Sequence, residues 1–523
     1  MARKKNFEKM KVRGSVGRLH LVLGDQLDVE NSLIRSLDPK NDAVLMLEVA
    51  EESQHVRTHI QRTLFFLTAM RHAARKFKKL GYRVEYVSLD DPENQGSFQK
   101  EIARALKRLA PQHFSAARPG SHRVLQQIHD GASASRATLE IFEDPHFILT
   151  PDEFAAWAKG RKTLMMGHFY QWIRKKMDIL MDGTKPVGGK WSFDESNRGA
   201  FKSAPTAPPP WIAQADPLAE ATLKTIQQQL PDLEGQLTDD RWPATRPEAL
   251  QQLRQFIQER LPEFGRWQDA MWTGENFLWH SHLAPALNIK LLNPREVIAA
   301  ALKAYESGLA PLESVEGFVR QVIGWREFIR GVYWLKGERY RNLNALEANR
   351  PLPEAYWGQP SSLRCLSEAI QSVLQHGYSH HIQRLMITGT FSMLAGCDPR
   401  EVRDWYLGMF VDGVDWVTTP NVIGMSQWAD EGIIGTKPYA ASGRYVQRMS
   451  NYCRDCSYSP GEKIGPTACP MTTLYWSFLD QHRDRFASNT RMKMMLRNLD
   501  RLDAGELKQV RKQASTLSSN SAL

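Results

Sequence analysis

Cysteine is scarce in this chain, with five residues in 523. So few thiols cannot staple a chain of this length. The basic start, MARKKNFEKMKVRGS, has no apolar run behind it that would read as a secretory signal. Together these argue against a secreted disulfide scaffold. Long apolar runs are missing too. None approaches the roughly 18 residues a membrane-spanning helix needs, so the chain reads as cytoplasmic with no membrane partner. Also absent is a Gly-x-Gly-x-x-Gly after the first strand-like segment, and with it the dinucleotide fingerprint. Acidic residues are outnumbered 58 to 68, which leaves a formal net charge of +10. That surplus suits a polyanion partner, nucleic acid first. The remaining composition is that of an ordinary globular protein, 42% hydrophobic and 24% charged, with length for two or three domains. Fifteen tryptophans, weighted toward the part after Trp267, are the exception. Tryptophan fills cores, stacks on flat heterocycles and passes electrons, and composition leaves all three open.

The cysteines that do occur are concentrated. Cys453, Cys456 and Cys469 fall in NYCRDCSYSPGEKIGPTACP. Cys-x-x-Cys sets two thiolates on one turn, and the third returns after a Gly- and Pro-punctuated loop. This is a partial cage that wants a fourth ligand, for zinc or for an iron–sulfur cluster. Cys365, in the amphipathic SSLRCLSEAIQSVL, is one source of it. Cys397, in LAGCDPR, reads as a small buried apolar residue. Spacing does not separate the two metals, although Cys469-Pro470 echoes the end of ferredoxin runs and leans toward iron.

In chain order, residues 1–16 read as a flexible basic arm. Residues 17–145 alternate strand and helix: RLHLVLG, DAVLMLEVA, a helix over 55–81, YRVEYVSL, the helix SFQKEIARALKRLA, HFSAARPG and TLEIFED. This predicts a doubly wound α/β domain with a parallel sheet. A ligand would sit beyond the carboxyl ends of the strands, at Gly24-Asp25, at Glu48 to His55 and near Arg123. Residues 146–240 are dense in Pro, Gly and Ala and read as a solvated interdomain connector carrying a few helices. Residues 241–523 show helical periodicity throughout and predict an all-α domain.

Within the helical half, WREF sets Arg326 and Glu327 among apolar neighbours, and HGYSHHIQRLMITGTF sets His380, His381 and Arg384 before an apolar helix. Charges there need partners, and Arg384 with Asp412 is a candidate pair. For any single residue, a satisfied core ion pair is the plain reading.

Taken together, WREF, the His-rich segment before RLM and the Asp…Asn…Gln-Trp segment resemble the flavin-binding core of the photolyase–cryptochrome family. HSHLAPALNIKLLNPREV resembles that family's phosphate-holding segment. With GDQL, NVIGMSQWAD and the four cysteines, the chain is similar to the family's iron–sulfur bacterial branch, which acts on (6-4) photoproducts. The resemblance implies FAD, with phosphates on His280, Ser281, His282 and Leu283, and the isoalloxazine near Gln321, Arg326, Arg384, Asp412 and Asn421. It implies His380 and His381 facing the lesion, where a proton must move. It implies Trp357, Trp405 and Tyr406 as electron-relay rings, and a 4Fe-4S cluster on Cys365, Cys453, Cys456 and Cys469. It also implies a 6,7-dimethyl-8-ribityllumazine antenna on Gly24, Asp25, Glu48, Glu52 and His55. The chain departs from the wider family at MSQW, which leaves Asn421 and Thr418 both as neighbours of the flavin N5. It departs again at His55, where an aromatic hydroxyl residue would suit an antenna stack.

The implied function is light-driven repair of UV-damaged DNA by a monomeric lyase. A blue-light photoreceptor without repair is the alternative, and a nucleic-acid protein with a purely structural cluster is a third. Opening the adduct takes an electron from excited reduced FAD. The protein orients the parts and accepts a base taken out of the stack, as photolyases generally do.

Overall fold

The computed structural model describes residues 16–519, apart from 134, 162 and 239–241. The expected basic arm thus lies, up to residue 15, outside the described residues.

Strands β1 (Arg18–Leu21), β2 (Ala43–Leu47), β3 (Arg83–Val87), β4 (His113–Ala117) and β5 (Thr138–Phe142) form one parallel sheet ordered β3-β2-β1-β4-β5. β2 is buried at every residue, because helices cover both faces, and so its sequence is a continuous apolar run without alternation. The crossovers use helices Ile60–Lys79, Phe98–Leu109 and His122–Ser133. Strand order reverses between β1 and β4. The crevice beyond their carboxyl ends is therefore where a doubly wound sheet takes a ligand.

The helix expected over 55–81 starts only at Ile60, after a separate turn at Glu51–Gln54. Tertiary bonds pin the intervening residues. The His59 amide donates to Gly408 O at 3.0 Å, and His59 Nε2 donates to Leu374 O at 3.0 Å. His59 Nδ1 accepts from Gln61 N at 3.1 Å and so caps the helix. A Cβ at residue 408 would run into the carbonyl oxygen of Arg57, so glycine is what admits this approach.

The segment 146–240 is not a solvated connector. Helices Pro151–Ala158 and Met166–Met177 bury Phe154, Phe169, Tyr170 and Ile173 at 2% exposure or less, in the same core as the helical half. Helix Pro217–Gln229 seats Ile226 against Leu64 and Leu67 of helix Ile60–Lys79. Proline and glycine density misled the reading because the apolar positions are interleaved with turn residues.

The remainder is helical. Four π-turns interrupt it, at Phe256–Arg260, Arg320–Arg326, Gln383–Gly389 and Asn421–Ser426. A π-turn widens a helix by one residue and is frequent at functional sites. These four carry Arg260; Gln321 and Arg326; Arg384; and Asn421.

Candidate active site

Gly24, Asp25, Glu48, Glu52 and His55 line one cavity, partly open to solvent, at the switch point of the sheet. Its far wall is helical: Leu407, Val414 and Asp415. The five residues are not equivalent. Glu48 is consumed by the protein itself, since its carboxylate takes Arg71 Nε at 2.7 Å and Nη2 at 2.8 Å, the Leu89 amide at 2.7 Å and the Tyr86 hydroxyl. Glu52 is ion-paired with Arg123, which holds its pKa below the usual carboxylate range against the effect of burial. Burial pushes the Asp25 carboxyl up, with Asp144 and Glu52 adding to the rise and Lys290 opposing it. Gly120, after β4, is needed by packing: a Cβ would stand 2.6 Å from Asp25 Oδ2 and 3.0 Å from Trp416 Cδ1.

The second centre lies in the helical half. Arg384 donates from Nη1 to Asp412 Oδ1 at 3.0 Å and from Nε to Ser379 O at 2.7 Å, and its guanidinium carbon lies 4.1 Å over Phe410. The ion pair expected from sequence is formed. Asn288 Nδ2 donates to the Asp412 carbonyl at 2.8 Å and ties the segment after HSHL to the same place. His280 stacks on His380, with centroids 4.5 Å apart and planes 11° apart. Two non-glycine residues of this loop, Leu278 and His282, sit at φ 46° and 55°. Buried Arg260 holds the strained loop, donating to Leu278 O at 2.6 Å, His280 O at 3.2 Å and Pro208 O at 2.7 Å.

Five buried polar side-chain atoms here have no hydrogen-bond partner: His280 Nε2, His282 Nε2, both ring nitrogens of His380 and Ser379 Oγ. Buried polar atoms are almost always satisfied. A wall of unsatisfied donors and acceptors beside an Arg–Asp pair fits a polar, anionic ligand, so the chemistry of this wall suits FAD. Burial drives the imidazole pKa values down, helped by neighbouring cations and rings, to about 3 for His280 and well below normal for His282 and His380. The rings are neutral in this state, and a phosphate beside them would favour the imidazolium. His380 is 1% exposed, whereas His381 opens to the surface.

Other expected flavin neighbours bond elsewhere. Gln321 Nε2 donates to Gly317 O at 2.9 Å, and Asn421 Nδ2 donates to Val417 O at 2.9 Å. Thr418 is buried one residue beyond Val417. Ser281 Oγ accepts from the Leu283 amide at 3.4 Å, and Leu283 is core. Arg326 donates to His146 Nε2 at 2.9 Å and to Leu287 O at 3.2 Å, with its guanidinium 4.6 Å over Trp416. Glu327 accepts from the Leu149 amide at 3.1 Å, and Arg330 donates to Leu149 O at 2.9 Å. The WREF helix thus clamps the chain segment that leaves the sheet.

Trp405 and Tyr406 are buried with ring centroids 4.8 Å apart, and Tyr356 lies 5.0 Å from Trp405. Tyr406 OH donates to Arg384 O at 2.7 Å. Trp357, next in chain to Tyr356, is half-buried under the Arg57 guanidinium at 3.6 Å. Sequence reading missed Tyr356, Arg57 and Arg260. Only Arg260 left a signal, as a cation on the apolar stripe of RQFIQERLPEFG.

Cys365, Cys453, Cys456 and Cys469 line one small cavity with Tyr452 and Tyr458, and Cys397 does not. Burial and the nearby thiols push Cys365 well up and Cys453 up to about 12. Thiols that crowd each other in an apolar pocket are stable there as thiolates only with a cation among them. Among the described residues, no group of three or more His, Cys, Asp or Glu side chains is arranged to hold a metal ion. No helix among the described residues is long and apolar enough to cross a membrane.

Comparison with known proteins gives a consistent picture. The family model described as deoxyribodipyrimidine photo-lyase-related protein matches residues 20–242. A (6-4) photolyase of Agrobacterium fabrum is 42% identical over 477 residues, which cover 91% of this chain and 94% of that protein. In fold the chain resembles a crystal structure of a bacterial class III photolyase from Agrobacterium tumefaciens, with TM-score 0.56 and 14% identity over 98% of this chain and 99% of the other. The Synechocystis cryptochrome is similar at TM-score 0.56 and 14% identity, covering 95% and 94% of the two chains.

Proposed function

The chain belongs to the photolyase–cryptochrome family, and from that premise we propose that it is a light-driven DNA lyase reversing (6-4) pyrimidine–pyrimidone photoproducts. The observation that carries this reading is the wall of unpaired imidazole nitrogens on His280, His282 and His380 beside the Arg384–Asp412 pair. FAD, when bound and reduced, supplies the photoexcited electron that opens the adduct. Arg384 and Asp412 orient the isoalloxazine, and His280, Ser281, His282 and the Leu283 amide face its phosphates. His381, at the open side, presents a ring N–H to the lesion, and buried His380 backs it. Gln321, Arg326 and Asn421 shape the pocket from their π-turns. Tyr406, Trp405 and Trp357, with Tyr356 packed on Trp405 and adjacent in chain to Trp357, supply rings for inward electron transfer. The four cysteines hold a 4Fe-4S cluster, and the switch-point cavity takes a lumazine antenna against Gly24, Asp25, Glu52 and His55. We place the antenna-binding unit at 17–145 and the catalytic unit at 241–523, in a cytoplasmic monomer whose substrate is UV-damaged DNA.

The test is repair of a (6-4) oligonucleotide under blue light by the purified protein. His380→Ala and His381→Ala should each abolish repair while flavin photoreduction persists. Repair retained in both variants overturns the assignment of the histidines. Photoreduction without repair in the wild type selects a photoreceptor. Iron and acid-labile sulfide in the wild type, lost in Cys365→Ser, test the cluster separately.

A further inference from the structure

Phe201, Trp267, Trp272 and Trp279 come from three separate segments and pack on one another, and none of them belongs to the hydrophobic core. Phe201 stacks on Trp267 with centroids 4.5 Å apart and 28° between planes. Trp279 lies 5.8 Å from Phe201 and 6.1 Å from Trp267, and Trp272 meets Phe201 edge-on at 6.3 Å. All four rings remain partly exposed. An aromatic group left outside the core of a charged protein marks a binding surface.

Two cations finish it. Arg266 lies 4.5 Å over Trp267, and Arg454 lies 5.2 Å over Trp272. Two nearby carboxylates have partners of their own, and burial pushes the Asp269 carboxyl up to about 6. Glu263 accepts from Trp267 Nε1 at 2.9 Å and pairs with Arg266 at 4.0 Å, and Asp194 pairs with Arg198 and Arg320.

The arrangement is built. A Cβ on Gly199 would stand 2.6 Å from Arg266 O and 2.9 Å from Trp267 Cζ3, so glycine is what lets the 197–201 segment lay Phe201 on Trp267. Trp279 follows Leu278, the left-handed residue held by Arg260. Trp279 also immediately precedes His280, whose ring stacks on His380. The aromatic group is therefore continuous in chain with the loop that carries the histidine wall.

When a lesion swings out of a duplex, the bases beside and opposite it lose stacking partners. Aromatic rings with interleaved cations are the surface that takes such bases, because every base has a π-face and the phosphates follow the charge. We propose that Phe201, Trp267, Trp272 and Trp279, with Arg266 and Arg454, form a stacking platform for unpaired DNA bases next to the extruded lesion. This rests on the photolyase reading and adds a single-strand-binding site to it.

The experiment is fluorescence anisotropy in the dark with the full-length holoprotein. The labelled probes are a (6-4)-containing duplex, the undamaged duplex and an oligothymidylate single strand. Phe201→Ala and Trp272→Ala should each weaken single-strand binding about tenfold, in line with the loss of one stacked base. They should weaken the lesion duplex as well and leave the undamaged duplex unchanged, and Trp272→Phe should recover most of the loss. Arg454→Gln should weaken every probe and flatten the salt dependence. Aromatic variants that keep their flavin and circular dichroism yet bind the single strand like wild type overturn the platform. So does a loss confined to Arg454→Gln, which would leave only a charged surface. If Phe201→Ala does not fold, Trp272→Phe against Trp272→Ala decides. A wild type that does not prefer the lesion duplex overturns the photolyase reading instead.

Discussion

Replacing Asp412 by Asn tests the pair around which the helical site is arranged. The variant keeps size and one acceptor but removes the charge facing Arg384 at 3.0 Å. At an effective dielectric of 20, two unit charges at that separation attract by about 5 kcal/mol. The side chains are 23% and 11% exposed, so neither is fully desolvated and the gross figure is not realised. Removing one partner of a buried pair costs about 3–5 kcal/mol, and this partly screened pair should fall just below that range, at about 2–3 kcal/mol. Arg384 keeps its bond to Ser379 O and its place over Phe410, so the variant folds. Urea unfolding followed by circular dichroism measures the loss, and flavin absorbance per chain measures occupancy, which should drop with it. A double-mutant cycle with Arg384→Met isolates the coupling. Asp412→Asn within 0.5 kcal/mol of wild type (roughly the noise of additivity), with full flavin occupancy, would refute the reasoning.

Trp405→Phe removes a buried indole and leaves Tyr356 O without its 3.0 Å donor, so stability should fall by about 1–3 kcal/mol and steady-state photoreduction should stop. Unchanged photoreduction would mean electrons enter elsewhere. Gly120→Ala should displace Asp25 or Trp416 and empty the switch-point cavity of its antenna, read as loss of the antenna's absorbance band with catalysis under direct flavin excitation retained. Acid should destabilise the fold. Burial holds His20 and His59 at about 4, below the 6.5 of the unfolded chain, so the unfolded state binds more protons between those values. Stability is full above pH 6.5 and falls as pH drops toward 4, by up to about 1.4 kcal/mol per pH unit for each ring. A melting temperature flat from pH 7 to about 4.5 would contradict this.

The alternation of apolar strands with amphipathic helices over 17–145 was enough to specify a parallel doubly wound sheet and its binding crevice. Each element there is a local pattern, and the crossover rule orders the rest. Helical periodicity did the same for 241–523. The Arg384–Asp412 pair was legible because a cation on an apolar helix demands a partner. Three of the four gathered cysteines were legible from their spacing, and the fourth, Cys365, only through the family resemblance. Other features were decided by packing alone. Helix Ile60–Lys79 loses its first turn because His59 is bonded to Gly408 O and Leu374 O of the helical half, a long-range cost that local periodicity cannot register. The apparent connector became core because Phe154 and Phe169 both pack on Phe328, which lies far along the chain in the helical half. The four π-turns that aim Arg260, Arg326, Arg384 and Asn421 leave no trace in composition, since one inserted residue alters a helix only once its neighbours are fixed. The stack of His280 on His380 and the exposed aromatic group beside it join residues about a hundred or fewer positions apart that no periodicity connects. Sequence thus determined which groups are present and on which elements, because those follow from chemistry and local repeat. Tertiary structure decided which of them face one another, because that depends on how the two halves close.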